Sequence, residues 1–367
     1  MNEKKHHEPL IRISKKDAMP RSKAWAVRGA CIIAAFFACA LVIVLLTDYN
    51  PLQVFASMFE GTFGSERKIW IAMQNTAILL CISLAVTPAF KMRFWNLGAE
   101  GQVLIGALAT AACMINFGKT LSTPLIILIS VVSSIIAGLV WAVIPSVFKA
   151  KWNTNESLFT LMMNYVAIQL IAYFITFWEN PKGSNTVGII NFSSEAGWLP
   201  SLFGQKYLIN ILIVVLLTAI MYIYLKYSKH GYEISVVGES ENTARYIGIN
   251  VTKVIIRTVA FSGALCGIAG FLLVAGTGHT ISTDTAGGQG FTAIMVSWLA
   301  KFNPIVMVFT SFLLVFLDRG ASEIATAFRL NESVSEILSG IILFFIIGSE
   351  FFINYKISIG KGKKGVK

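Results

Sequence analysis

Charge is what this sequence has least of. Only 13% of its 367 residues are Asp, Glu, Lys or Arg, while 55% are hydrophobic, and a water-soluble fold of that make-up would expose large apolar areas. Paired cysteine spacing is also missing. Cys31, Cys39, Cys81, Cys113 and Cys266 are scattered through apolar runs, which argues against a disulfide or thiolate-metal framework and leaves them as small buried hydrophobes. His6, His7, His230 and His279 have no ligand spacing, so no metal site is expected. Enzyme signatures are absent too: there is no Gly-x-x-x-x-Gly-Lys-Ser/Thr loop, no His-Glu-x-x-His and no Gly-x-Ser-x-Gly. The chain is therefore expected to have no catalytic residues and no cofactor, and any energy it uses comes from elsewhere.

What is present is a series of apolar runs at 29–47, 69–90, 101–118, 124–148, 158–178, 207–225, 258–277, 304–317 and 333–355, with a tenth at 291–300 too short to cross a bilayer alone. With a mean hydropathy of +0.69, they indicate an all-α polytopic membrane protein with about ten transmembrane segments. Three regions follow: a basic N-terminal tail, 1–28; a transmembrane domain, 29–355; and a basic C-terminal tail, 356–367. The first run reads as a retained anchor, since no small-residue cleavage site follows it. Residues 51–68 read as a segment lying in the interface.

Of 30 Lys and Arg, only Arg67, Lys68, Lys119, Lys182, Lys206, Arg319 and Arg329 fall on segments that this topology places outside. The positive-inside bias then makes both termini cytoplasmic, with the chain multi-pass in the cell membrane. The same bias, with attraction to anionic membrane lipid, accounts for a formal charge of +11. Nucleic acid is not inferred as a partner.

Between Glu66 and Glu156 the only acidic residue is Glu100, in the glycine-bearing stretch Phe94-Trp-Asn-Leu-Gly-Ala-Glu-Gly-Gln-Val-Leu-Ile105. A carboxylate at membrane depth costs about 3 kcal/mol unless the protein uses or satisfies it. Gly98 and Gly101 let the backbone leave helical geometry, which a membrane protein tolerates where the segment is buried in protein or lines a wet cavity. Trp95, Asn96, Glu100 and Gln102 thus become candidates for lining a pathway or holding its broken helix together. The plainer reading keeps Glu100 as the first-turn acid of the next helix, facing its dipole.

Internal repetition supports a pathway. Asn155-Glu156-Ser157 opens one span and Asn331-Glu332-Ser333 the last; Thr123-Pro124 is matched by Asn303-Pro304, and Glu100-Gly101-Gln102 by Gly288-Gln289-Gly290, all in one order. Asn-Glu-Ser alone could recur as a good cap. The topology places Asn155 and Asn331 on opposite faces, so halves 69–178 and 256–355 form an inverted repeat, with the pathway between them and 291–300 as a half-helix. Gln289, Trp298 and Asn164 join the pathway candidates.

The longest inner loop reads Gly231-Tyr-Glu-Ile-Ser-Val-Val-Gly238-Glu239-Ser-Glu-Asn-Thr-Ala-Arg245-Tyr246-Ile-Gly248. Ser240 or Asn242 can cap a short helix stopped near Gly248. Such a helix offers an exposed aromatic and an arginine, types favoured at interface cores. The plain alternative is an amphipathic helix on the membrane surface.

Taken together and in order, Asn96 to Gln102, Asn155-Glu-Ser-Leu-Phe-Thr-Leu-Met-Met-Asn164-Tyr165, and Gly238-Glu239 to Arg245-Tyr246-Ile-Gly248 resemble the permease subunits of ATP-binding-cassette importers. They look most like nucleoside importer permeases, relatives of the ribose and branched-chain amino acid permeases, over about 69–355. The resemblance implies a type II importer fold and a second, paralogous permease subunit completing a heterodimer. It further implies a cytoplasmic ATP-binding subunit docked at Gly231, Gly238, Glu239, Arg245, Tyr246 and Gly248, and an extracytoplasmic substrate-binding lipoprotein. Its alternatives are a simple-sugar or branched-chain amino acid permease. An ion-coupled secondary transporter would need midspan acids, and only Glu100 lies near such a depth.

Overall fold

The computed structural model describes residues 11–15, 20–46 and 49–359. The remainder of the two basic tails, 1–10, 16–19 and 360–367, lies outside the described residues. In chain order the elements are strand β1 (Ile11–Lys15), helices α1 (Arg21–Leu46), α2 (Pro51–Phe63), α3 (Glu66–Lys91), α4 (Ala99–Phe117), α5 (Thr123–Trp152), α6 (Glu156–Trp178) and α7 (Leu208–Tyr227), then α8 (Lys229–Glu239), α9 (Glu241–Tyr246) and α10 (Val251–Leu273). A π-turn (Val274–Gly278) extends α10, followed by α11 (Gln289–Leu299), α12 (Pro304–Phe328), α13 (Glu332–Asn354) and strand β2 (Tyr355–Ile359).

Among the described residues nine helices are long and apolar enough to span a membrane. With the 11-residue α11 they account for the ten apolar segments read from the sequence. The cysteines behave as small hydrophobes: Cys39, Cys81, Cys113 and Cys266 are buried and free.

Two compact units are present: Met1–Ser65 with Phe316–Lys367, and Glu66–Val315. In the first, α1 runs along α13, joined by Arg28 Nη2 to Glu350 Oε1 at 2.6 Å. The strand β1 pairs antiparallel with β2, Ile13 opposite Ile357, a small addition to an otherwise helical fold. Several boundaries differ from the sequence reading, α10 among them, since it begins at Val251 rather than at 258. Helix α1 begins at Arg21 rather than at 29, and α12 does not stop at 317 but continues through Asp318 and Glu323 to Phe328. The alanine-rich stretch 321–327 favours helix, and α2 packs against it: Gly61 lies on the Arg319 carbonyl, Gly320 on Met58, and the Phe59 and Phe316 rings are 5.1 Å apart.

The second unit is built around α10. Of its most apolar stretch 72% is buried within the protein, against 22% for α7. Glycine makes this possible. A Cβ at Gly267 would overlap the Ser134 carbonyl of α5, and one at Gly270 the Val103 carbonyl of α4, so α10 approaches both helices backbone to backbone, as small residues allow in membranes. Helix α11 is fastened to α3 by Thr87 and Ser297 hydroxyls 2.7 Å apart, with Ser297 also donating to the Ser83 carbonyl at 3.1 Å.

The turns α3–α4, α5–α6 and α7–α10 gather at one end of this unit. There Lys149 meets Glu156 at 2.9 Å, and Met92, Phe94, Ile234, Val237, Ala244 and Val254 share one buried cluster. At the opposite end the loop 179–207 rests on the π-turn region: Ile190 N donates to His279 O at 2.8 Å, and the Trp198 ring stacks on His279 at 3.8 Å.

Candidate functional site

Helix α4 is preceded by Gly98, which supplies no side-chain cap of its own, so its free first-turn amides need acceptors from elsewhere. Two asparagines provide them. Asn96 Oδ1 accepts from Gly98 N at 3.1 Å and from Gln102 Nε2 at 3.2 Å. Asn164, reaching across from α6, accepts from Gly101 N at 2.9 Å through Oδ1 and donates to the Leu97 carbonyl at 2.8 Å through Nδ2. One turn earlier on α6, Thr160 Oγ1 accepts from Leu97 N at 3.1 Å. Asn155 caps the start of α6, accepting from Leu158 N at 3.1 Å.

Glu100 is buried, and its carboxylate does for α11 what the asparagines do for α4. Oε1 accepts from Gly288 N at 2.8 Å and Oε2 from Gly290 N at 2.7 Å. A carboxylate held by backbone amides at a helix N-terminus has both its hydrogen bonds and its charge answered. Gly290 allows the approach, since a Cβ there would stand 2.7 Å from Glu100 Oε2. Glu100 is thus a first-turn acid of α4 whose partner is another helix's dipole.

Of the seven pathway candidates, Asn96, Glu100, Gln102 and Asn164 form this buried knot, hydrogen-bonded to one another and to backbone. They brace the segment before α4 against α6 and α11. Trp95 and Trp298 are 47% and 46% exposed and stack with centroids 5.6 Å apart. Phe90 meets both rings edge-on, and Phe302 meets Trp298 at 5.1 Å. Gln289 is half-buried beside the Glu100 clamp, and its Oε1 has no partner among the described residues.

The coupling candidates divide similarly. Gly231 and Gly238 are buried where α8 crosses carbonyls of Tyr224 and Lys91. Ser240 caps α9, accepting from Thr243 N at 3.2 Å, and Gly248 follows its end at φ +85°. Ala244 is buried, whereas Glu239, Arg245 and Gly248 are exposed and Tyr246 is 92% exposed. Glu241 steadies Arg245 at 3.2 Å.

The sequence reading did not single out Gly288, Gly290 or Thr160 as site residues, nor the side chains that bind α8 to α10. Thr160 could have been found, being four residues before Asn164 and so on the same helical face. The glycine amides carry no signal in residue type alone.

The family described as branched-chain amino acid transport system / permease component matches residues 70–347. The chain belongs to that family. Relatives include a glucose ABC transporter permease protein of Haloferax volcanii, 27% identical and covering 93% of each chain. A guanosine ABC transporter permease protein of Bacillus subtilis is 27% identical, over 85% of this chain and 90% of its own. A nucleoside ABC transporter permease protein of Lactococcus lactis subsp. cremoris is 27% identical, over 84% and 87%. This permease is accordingly a multi-pass membrane transport subunit and not an enzyme. Family membership implies a cytoplasmic ATPase and a substrate-binding protein as its partners.

Proposed function

We propose that this permease forms half of the translocation path of a nucleoside importer, with a second, paralogous permease subunit supplying the other half. The observation that carries the substrate reading is the half-exposed Trp95–Trp298 stack, beside a knot whose single carboxylate is already used by two amides. Aromatic faces take up a base with little dependence on its identity. An anionic or zwitterionic solute would call for charge-assisted partners, which the pathway candidates do not offer. Two relatives bear guanosine or nucleoside names. The glucose relative favours a simple sugar as second reading.

In this reading the end carrying the basic turns is cytoplasmic, as are both termini. The knob Arg245, Tyr246 and Ile247 docks the ATP-hydrolysing subunit, seated by buried Ala244 and by Gly231 and Gly238. Residues 69–178 and 256–355 are the inverted halves. The matched triplets around Gln102 and Gln289 touch through Glu100 and Gly290, as expected of equivalent segments beside a two-fold axis.

Uptake of labelled guanosine and cytidine into cells with and without the gene tests the substrate, with ribose, glucose and leucine as competitors. Loss of nucleoside uptake in the deleted strain, with no competition by sugars or leucine, is expected. Intact nucleoside uptake with lost sugar uptake replaces the nucleoside reading by the sugar one.

A further inference from the structure

Among the polar clusters that the pathway and docking candidates leave unused is one at the base of α8. His230 there is half-buried among three elements. Its Nδ1 meets the Tyr224 hydroxyl at the end of α7. Its Nε2 accepts from Arg257 Nε at 2.9 Å and lies 3.1 Å from Thr258 Oγ1, both on α10. Arg257 Nη2 continues to Glu233 Oε2 on α8 at 2.5 Å.

A guanidinium has only donors, so the nitrogen facing it has to carry a lone pair. The imidazole is therefore neutral, with its proton on Nδ1 toward the tyrosine oxygen. Burial and the neighbouring Arg257 charge agree, pushing the His230 pKa down to about 4, against a smaller opposing pull from Glu233. The ring is thus a two-sided connector, donating to α7 and accepting from α10.

The connector's placement gives it a role. The buried side of α8 and α9, Ile234, Val237 and Ala244, shares its core with Val251, Val254, Ile255 and Val259 of α10. Helix α10 is also the element against which α3, α4 and α5 close. Apolar packing resists separation but is weakly directional; hydrogen bonds fix rotation and sliding of one helix against another.

We infer that His230 is a positioning residue which, with Arg257 and Glu233, locks the docking helices α8 and α9 in register with α10, so that motion of the docked ATPase is transmitted to the pathway rather than absorbed at the loop. This inference rests on the docking reading above, and the test separates the two.

The experiment uses the full transporter, with its ATPase and binding protein, reconstituted in vesicles. It measures copurification of the ATPase, ATP hydrolysis, and nucleoside uptake per ATP hydrolysed. His230→Leu removes both connections and should lower uptake per ATP at least about fivefold, the lower end of typical coupling between sites, with copurification unchanged. His230→Gln can still accept from Arg257 through its amide oxygen and should recover much of the loss. Should His230→Leu fail to accumulate, Tyr224→Phe and Arg257→Lys, each losing one side of the connector, carry the same readout. Normal uptake per ATP in all the variants that accumulate overturns the inference. So does lost copurification with normal uptake per assembled complex, because His230 would then shape the docking surface. Failure of the docking reading appears separately, as normal copurification in Tyr246→Ala.

Discussion

Two polar regions near the same end of the Glu66–Val315 unit are treated in opposite ways. In the knot of Asn96, Glu100, Gln102 and Asn164, side chains from α4, α6 and the segment before α4 close on one another and on helix-end amides. In the knob at α9, Arg245 and Tyr246 point away from the core while Ala244 between the two helix faces is buried. Both regions follow from glycine-bearing breaks, yet one is closed and the other open. Inside a membrane unit, satisfied polar groups are structural, because leaving any of them unpaired is costly. An exposed aromatic beside an arginine on a short, well-capped helix has no such structural debt, and its composition suits a partner.

The largest expected effect breaks the closed region. Glu100→Leu leaves the amides of Gly288 and Gly290 without acceptors, at about 1–3 kcal/mol for each stranded donor. It should abolish uptake and sharply reduce membrane accumulation of the complex. Glu100→Gln keeps the volume and one acceptor, so one amide stays bonded while the other faces a donor, and an intermediate loss is expected. Immunoblots of membrane fractions and melting of the detergent-solubilised complex read both. If the two variants lose accumulation equally, the charge itself, and not the pairing, is what α11 requires.

The open region should respond differently. Tyr246→Ala buries nothing new and strands nothing, so accumulation and melting are expected to match the parent. Association with the ATPase subunit should weaken by about 2 kcal/mol, the size of a typical interface hot spot. Copurification at several ionic strengths measures it. Reduced melting in Tyr246→Ala would close the contrast between the regions by making the knob part of the fold.

The contrast also marks how far the sequence carries. The ten apolar segments, the caps Asn155, Asn331 and Ser240, the short helix ending near Gly248 and the half-helix α11 were all legible, because periodicity, composition and capping are local. Glu100 was legible as an anomaly, since an isolated acid between apolar runs needs an answer. What answered it was not legible. Backbone amides of Gly288 and Gly290 lie far along the chain and carry no chemical label, so only the approach of α11 to α4 identifies them. The same holds for the continuation of α12 to Phe328, where charge suggested a loop and packing against α2 favours helix. A polar residue's type shows that a partner is needed, and tertiary contact decides whether that partner is protein or solute.

A smaller effect probes the ledge that borders the knot. Trp95→Ala removes one ring of the Trp95–Trp298 pair without touching a hydrogen bond of the knot. Loss of a stacking face costs about 1–3 kcal/mol per base, so the concentration of guanosine for half-maximal uptake should rise roughly tenfold or more, with Trp95→Phe closer to the parent. Unchanged uptake in Trp95→Ala would assign the ledge to lipid or to a neighbouring subunit.

The smallest effect is a pH dependence, and it arises outside the membrane spans at His230. Its pKa in the folded chain is about 4, below the ordinary value of 6.5. Between these values the unfolded chain takes up a proton that the folded one refuses. Stability from this group is therefore complete above pH 6.5 and falls as pH drops toward about 4. Because the ring is only half-buried, solvent screens the neighbouring charges and the slope should be shallow. Melting temperatures of the complex across pH 4.5–8 should show this shallow acid-side fall in the parent, and His230→Gln, which has no proton to gain, should lose that component while keeping whatever the carboxylates contribute. Identical profiles for parent and variant would mean that His230 titrates near its ordinary value, and the lone pair assigned to Nε2 opposite Arg257 would have to be given up.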